Sequence, residues 1–379
     1  LDVVVEGDGI VFAEAFAVEN GCRVRAHRKF GTAVVVFPDG FKLDVVSARM
    51  EYYLRPGALP DVEHASMRLD LFRRDFTINT MAIALNHTRF GEILDFYGGQ
   101  KDLTEKAVRV LHNLSFVEDP TRVFRAVRFE QRLGFKIGKQ TEHLLKSAIR
   151  LQFLEKVSGL RIFNELFLIL TEKDPLPAVQ RLVGLGLLKT IDPALDQRLE
   201  FRDLFVEARR TVDWFDLLYT GHPCRRWLCY LLSLTASLGT ARMKAVCQRL
   251  SLPVRYVPLL LEQRTAGLAI LRKLERRRSS ARPPLSSDLY RWLSPLETEV
   301  LLFLMAATGQ DRVRQWMSHF MTSLRHVKPL LSGHDLKKLG IAPGPVYKQI
   351  LDDLLYARLN GRIETLQDEK NYVRRKYLN

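Results

Sequence analysis

Cysteine is scarce. The 379 residues hold four, Cys22, Cys224, Cys229 and Cys247, and none belongs to a CxxC pair or a His-flanked zinc pattern. That excludes a disulfide scaffold and a zinc module, and the thiols are expected to be reduced and structural. Long apolar runs are missing too. No stretch approaches the roughly 18 residues needed to cross a bilayer, and the opening LDVVVEGDG has neither the basic flank nor the cleavage site of a signal peptide. A soluble cytoplasmic protein without a membrane partner is the expectation. No repeat of fixed period runs through the chain, which excludes a solenoid. Acidic residues are also in deficit: 43 Asp and Glu stand against 58 Lys and Arg, a formal charge of +15. Such an excess points to a polyanionic partner, nucleic acid above all, because Lys and Arg gain affinity by releasing counterions from phosphates.

What is present suggests two or three globular domains, since 47% of the residues are hydrophobic over a length that can bury a sizeable core. Up to about residue 110 the pattern is mixed. Val3–Val5, Arg23–His27, Ala33–Phe37 and Phe41–Val46 read as strands, and Asp39-Gly40 between the last two is a hairpin signal. GIVFAEAFAVENG has helical apolar spacing at Val11, Phe12, Ala15, Phe16 and Val18, with Gly21 suited to the carboxyl-terminal cap. After Leu111 amphipathic helical segments take over, among them VFRAVRFEQRL, GLRIFNELFLIL, DLYRWL and VYKQILDDLLYARL. Arg276 to Pro284, RRRSSARPP, reads as an exposed basic turn or linker. LDVVVEGDG itself begins within a strand that reads as buried, and the opening is expected to be the edge of an interrupted fold.

Three clusters carry chemistry. Asp2 heads one strand and Asp44 lies in another, where the sheet could bring both carboxylates to one edge; two such groups suit Mg²⁺, although acids at strand ends are most often solvated. In RLDLFRRDFTINTMAI, Arg73, Arg74 and Asp75 precede a helical turn that sets Asp75 and Asn79 four apart on one face. Paired guanidiniums followed by a carboxylate suit a triphosphate and a ribose; a charged helix cap explains Asp75 but not both arginines. In SFVEDPTRVFRAVRF, Asp119 is the expected cap before Pro120. Asp119, Arg122, Arg125 and Arg128 then recur every three residues down one stripe, read either as a binding face or as a solvated basic face.

EGD at Glu6–Asp8, FGT, LDVVSARMEYYLRPGALP, RRDFTIN, FYGGQKDL, RVLHNLSFVEDPTRVFRAVRF and LRIFNEL follow one another in the order of the class II tRNA nucleotidyltransferase blocks, and the chain resembles that family. CCA-adding, CC-adding and A-adding enzymes and bacterial poly(A) polymerases belong to it. The blocks are dense to about residue 170, and LSGHDLKKLGIAPGPVYKQIL extends the likeness toward the end.

The resemblance implies an α+β fold: a nucleotidyltransferase head with a mixed sheet over residues 1–111, then an elongated helical neck (112–187), body (188–262) and tRNA-binding tail (263–379). It implies that Asp2 is the second acid of an Asp-x-Asp pair holding catalytic Mg²⁺, and that Asp44 is a further acid of that site. Arg73, Arg74 and Asp75 match the block contacting the nucleotide's ribose and phosphates, and Asp119 and Arg122 the pair that reads the base edge. Arg125 and Arg128 could hold phosphates, Asp95 through Asp102 match a springy segment, and Arg161 and Glu165 match a block that steadies the helices beneath. The expected reaction is AMP addition from ATP to a tRNA 3′ end ending in CC. Full CCA addition with CTP and ATP is the next reading, then poly(A) synthesis, then a tRNA-binding module without activity. Two departures stand out: the GGxVRD block and the first acid of the pair are absent, so that the residues as given are expected to be catalytically incomplete, and Thr80 stands where Ala is usual.

Overall fold

A computed structural model describes all residues except 29, 30, 54, 56, 58, 59, 197–199, 220, 222, 223, 279–282 and 379. Parts of the FGT and LRPGALP stretches therefore lie outside the described residues. The chain forms two compact units, residues 1–196 with 249–251, and residues 197–248 with 252–379.

The first unit opens on β1 (Asp2–Val5), α1 (Gly9–Glu19), β2 (Arg23–His27), β3 (Thr32–Val36) and β4 (Lys42–Ser47). They make a mixed sheet in the order β1-β4-β3-β2, with β1 parallel to β4 and the other pairs antiparallel. The Asp39-Gly40 turn lies between β3 and β4 as expected, with Gly40 at φ +88°. Alternation gives the sheet two faces. Ala33, Val35, Leu43 and Val45 are buried beneath Ile10, Ala13 and Ala17 of α1. Asp2, Val4, Asp44 and Val46 belong to the opposite face, since Asp2 pairs with Asp44 and Val4 with Val46.

Two expectations need correction. α1 buries Gly9, Ile10, Ala13 and Ala17 while Val11, Phe12 and Val18 are exposed. Every turn of this helix is apolar, so periodicity does not choose a face; small side chains do, by letting the helix approach the sheet. A Cβ on Gly9 would lie 2.8 Å from the Ser47 nitrogen. And β1, read as a buried strand, is half-buried and sits at one end of the described sheet order.

The unit continues with the antiparallel pair β5 (Arg49–Tyr52) and β6 (Asp61–His64), then α2 (Met67–Phe72), the pair β7 (Met81–Ile83) and β8 (Ile93–Asp95), α3 (Gly99–Thr104) and β9 (Ala107–Val108). Asp95 accepts from the Gly99 and Gln100 nitrogens at 2.8 and 2.9 Å and so caps α3. After β9 come α4 (Ser115–Glu118), α5 (Arg122–Leu133), β10 (Lys136–Ile137), α6 (Lys139–Arg150), α7 (Gly159–Leu170) and α8 (Leu176–Gly184). α7 has the bounds of GLRIFNELFLIL.

The second unit is helical: α9 (Glu200–Asp216), α10 (Arg226–Leu234), α11 (Thr240–Arg249), α12 (Arg264–Arg277), α13 (Ser286–Leu293), α14 (Thr298–Ala307), α15 (Asp311–Thr322), α16 (Gly333–Lys338), α17 (Val346–Leu359) and α18 (Leu366–Val373), with Arg249, the last residue of α11, counted in the first unit. α9, α10 and α14 pack on one another. Leu331, Leu336, Ile350 and Leu354 centre a separate carboxyl-terminal core. Arg264, 3% exposed, donates to the carbonyls of Thr235, Ala236 and Leu238 and so closes the end of α10. The expected linker at 276–284 is corrected in part: Arg276 and Arg277 end α12, because Leu271 and Leu274 keep its apolar face on the core, while residues 279–282 lie outside the described residues. Among the described residues no helix is long and apolar enough to cross a membrane.

Candidate active site

An open cavity of about 700 Å³ in the first unit gathers residues from four parts of its sequence. β1 and β4 supply the first wall. Parallel register sets Asp2 beside Asp44, both exposed, and Asp2, Val4 and Val46 line the cavity. Two carboxylates on one edge fit a divalent cation whose remaining ligands are water and phosphate oxygens. Among the described residues no cluster of three or more His, Cys, Asp or Glu side chains forms a closed metal cage.

The end of α2 supplies the second wall. Arg73 and Arg74 both line the cavity, and the helix sets their partner. Asp70, three and four residues earlier, is fully buried and accepts from Arg73 at 2.8 Å and Arg74 at 3.5 Å. Asp70 also accepts from the Arg49 backbone nitrogen at 3.1 Å. Glu51 on β5 grips Arg73 at 2.8 Å, Arg49 at 3.1 Å and the Tyr53 hydroxyl at 2.8 Å. Burial, with Glu51 close by, pushes the Tyr53 hydroxyl far above its usual range. The arginines are thus held from behind, as a site for phosphates requires.

Asp75 is 8% exposed, and all its acceptor positions are used. One oxygen receives the Phe76 nitrogen and Asn79 Nδ2, each at 2.9 Å. The other receives Arg125 Nε at 2.7 Å and Nη2 at 2.6 Å. A carboxylate offers about four lone-pair sites, so a ribose hydroxyl would have to replace one of these donors. The expected Asp75–Asn79 contact across one turn is present.

α5 and α7 form the third and fourth walls. Asp119 has extended backbone, and its Oδ1 accepts the Thr121 nitrogen at 3.0 Å and hydroxyl at 2.6 Å. It therefore holds the turn before the helix rather than acting as its cap residue: α5 is regular from Arg122, three residues further on, and its cap position is Thr121. Arg161 on α7 donates to the same Oδ1 at 2.8 Å. The Arg122 guanidinium, 4% exposed, donates to Ser115 Oγ at 2.7 Å and to the Arg73 carbonyl at 2.6 Å.

The even stripe down α5 is not what forms. At 100° per residue a three-residue step drifts backward by about 60°, so Arg122 and Arg125 line the cavity while Arg128 does not. Arg128 is buried with its guanidinium 5.2 Å from the Phe129 ring centroid, and burial pulls its pKa down. The solvated basic face is likewise overturned, because Arg122 and Arg128 are both buried. Arg125 lies between Asp75 and Glu165, which hold its charge more firmly than burial weakens it. Glu165, 3.5 Å from Arg125, has its pKa raised by burial against the pull of the two arginines. Its second oxygen is buried without a hydrogen-bond partner. Glu165 and Arg161 both line the cavity, so α7 contributes to its wall as well as to the packing beneath.

Sequence reading missed Glu51, Tyr53, Asn164 and Phe129 among the lining residues, and Asp70 behind them. Asp70 carried a signal, its spacing from Arg73 and Arg74. Glu51 carried none, because its partner is 22 residues away.

With this geometry in view, the comparisons agree. The Poly A polymerase head domain model matches residues 1–109, and the model described as the probable RNA and SrmB-binding site of polymerase A matches residues 134–199. An A-adding tRNA nucleotidyltransferase of Geobacter sulfurreducens is 51% identical over 97% of the chain, which spans 42% of that protein. An A-adding tRNA nucleotidyltransferase of Halalkalibacterium halodurans is 32% identical over 99% of the chain and 83% of its own length. The solved structure of a CCA-adding enzyme in an apo form superposes with a TM-score of 0.79 at 32% identity, over 98% of this chain and 86% of that one. The mixed sheet, the helical remainder, the ordered motifs and a relative matched over 83% of its own length place the chain in the tRNA nucleotidyltransferase and poly(A) polymerase family.

Proposed function

We propose that the chain carries AMP transfer from ATP to the 3′ end of a tRNA that ends in CC. The observation that carries this reading is the convergence of Asp2, the Arg73-Arg74-Asp75 block and the Asp119–Arg122 pair on one cavity. The A-adding relatives support the choice of nucleotide. Adenine presents an exocyclic amino donor beside a ring-nitrogen acceptor. Arg161 and Thr121 occupy Asp119 Oδ1, which leaves Oδ2 to accept the amino group while Arg122 donates to the ring nitrogen. Cytosine has the same pair of groups; guanine and uracil present the reverse. Arg73 and Arg74 bind the phosphates, and the 3′-hydroxyl of the RNA attacks the α-phosphorus as pyrophosphate leaves.

Asp2 and Asp44 would hold Mg²⁺, which when bound acidifies the attacking hydroxyl and balances charge on the leaving group. Within the helical remainder we assign residues 112–187, 188–262 and 263–379 to neck, body and tail. The exposed cations Arg276 to Arg278, Lys337 and Lys338 are assigned to the tRNA backbone, with affinity that falls steeply as salt rises.

The test offers the full-length protein tRNAs lacking the CCA end, ending in one C and ending in CC, together with an unrelated RNA, and supplies ATP and CTP separately. AMP added only to the CC-ended tRNA supports the reading. CMP addition would instead identify a CCA-adding enzyme, the second reading, which the fit to that enzyme's structure favours. Long A tails on any RNA indicate a polymerase, and binding without transfer an inactive module.

A further inference from the structure

Two of the four thiols are neighbours. Cys224 Sγ and Cys229 Sγ lie 3.8 Å apart at the start of α10, five positions from one another in the sequence. Their surroundings differ. Cys224 is half-buried, whereas Cys229 is fully enclosed and lies 3.8 Å from the carbonyl of Glu299 on α14. The sulfur of Cys224, then burial, raises the pKa of the Cys229 thiol. The segment between them is anchored: Arg225 is bound to Glu299 through its backbone nitrogen at 3.0 Å and through its guanidinium at 2.8 and 2.9 Å. Neither nucleotide transfer nor the cavity calls on this pair.

We propose that Cys224 and Cys229 form a reversible intramolecular disulfide, a redox-sensitive modification site in the second unit. Hydroperoxides are the oxidant class. The Cys224 thiolate, the only one of the two that solvent reaches, attacks the peroxide oxygen; the O–O bond breaks, the leaving oxygen is protonated and departs as water from hydrogen peroxide or as an alcohol from an organic hydroperoxide, and Cys224 becomes a sulfenic acid. The Cys229 sulfur then attacks the Cys224 sulfur, expels the sulfenic oxygen as water and closes the bond, so two thiols lose two electrons and two protons to one peroxide. Closing to a bond of about 2.05 Å asks for roughly 1.8 Å of approach. A Cys224 side chain at the edge of its segment can supply this while the Arg225–Glu299 anchor stays fixed. A dithiol reopens it by exchange.

Trypsin cuts after Arg225 and Arg226, between the two cysteines, so a disulfide joins peptides that otherwise separate. The folded protein is treated with stoichiometric hydrogen peroxide, capped with N-ethylmaleimide and digested without reductant. The expected product is the joined pair of peptides, abolished by dithiothreitol, with Cys22 still capped as the internal control. In Cys229→Ser, Cys224 should accumulate as sulfenic acid, 16 Da heavier and trapped by dimedone; in Cys224→Ser, Cys229 should stay reduced. Separate peptides from the treated wild type, or oxidation of Cys22 ahead of Cys224, overturn the proposal. Dimedone labelling of the wild type as strong as that of Cys229→Ser also overturns it, since no second thiol would then be resolving the first. The Cys229→Ser result needs only a folded second unit, checked by tryptophan emission, and Cys229→Ala provides a second variant with the same expectation.

Discussion

Asp70→Ala should loosen the arginine-lined wall of the cavity in the first unit. Asp70 is fully buried and takes Arg73, Arg74 and the Arg49 nitrogen. Its removal leaves two guanidiniums and a backbone donor without their acceptor. Breaking a buried charge pair from one side costs about 3–5 kcal/mol. The Arg73 and Arg74 side chains are 19% and 33% exposed, so water recovers part of that, and the lower end, about 3 kcal/mol, is expected. Asp70→Asn keeps one carbonyl acceptor for Arg73 and the Arg49 nitrogen but turns a donor toward Arg74; about half the loss follows. The choice of assay matters, because Trp214, Trp227, Trp292 and Trp316 all belong to the second unit and fluorescence does not report on this site. Hydrogen exchange over peptides spanning residues 49–76 does: a loss of about 3 kcal/mol is roughly a 100-fold drop in protection. The tryptophan-monitored urea transition should stay where it is. Protection within fivefold of wild type, or a tryptophan transition that moves as far as the exchange, would refute the view that Asp70 holds the two arginines in place.

Arg161→Ala frees Asp119 Oδ1 of its charged partner and should lower ATP over GTP discrimination by about tenfold, the equivalent of one charge-assisted hydrogen bond of roughly 1.5 kcal/mol; unchanged discrimination in competition assays contradicts it. Gly9→Ala normally helps a helix by about 1 kcal/mol, but here the added methyl meets the Ser47 nitrogen and should destabilise the first unit by about 1–3 kcal/mol, read by exchange in β4. His112 is stacked on Phe72 with ring centroids 5.0 Å apart, and burial, then Arg122, lowers its pKa. The unfolded chain therefore binds this proton more readily, and stability falls as pH drops from about 6.5 toward the lower folded value. His112→Gln should flatten that slope in exchange measured between pH 7.5 and 5.5.

The sequence disclosed its longer periodicities well. GLRIFNELFLIL and VYKQILDDLLYARL are α7 and α17 residue for residue, because one apolar face and one polar face leave a single way to sit on a core. α1 was legible as a helix but not as to which side it buries, since packing distance to the sheet decides that and Gly9 and the two alanines are silent in any hydropathy pattern. The chemistry was legible where residues adjacent in sequence act together, as Arg73, Arg74 and Asp75 do. It was hidden where partners come from different elements. Glu51 with Arg73, Arg125 with Asp75, and Arg161 with Asp119 are contacts over 22, 50 and 42 residues that only the fold creates. Arg128 misled for a related reason: a three-residue repeat looks like a stripe on paper and walks around a real helix.

Among the described residues, the cavity is lined by five carboxyl and five guanidinium side chains. In a chain with a surplus of fifteen positive charges, these lining residues match acid for base, and the surplus lies on other surfaces. In the proposed reaction, a triphosphate entering the cavity meets donors placed one by one rather than a broad attraction, and adds its own negative charge to a balanced set. Charge-neutral loading then favours a nucleotide that arrives already paired with a cation. The broad positive field of the protein is left to act on a much larger anion, at distances where the cleft itself is silent.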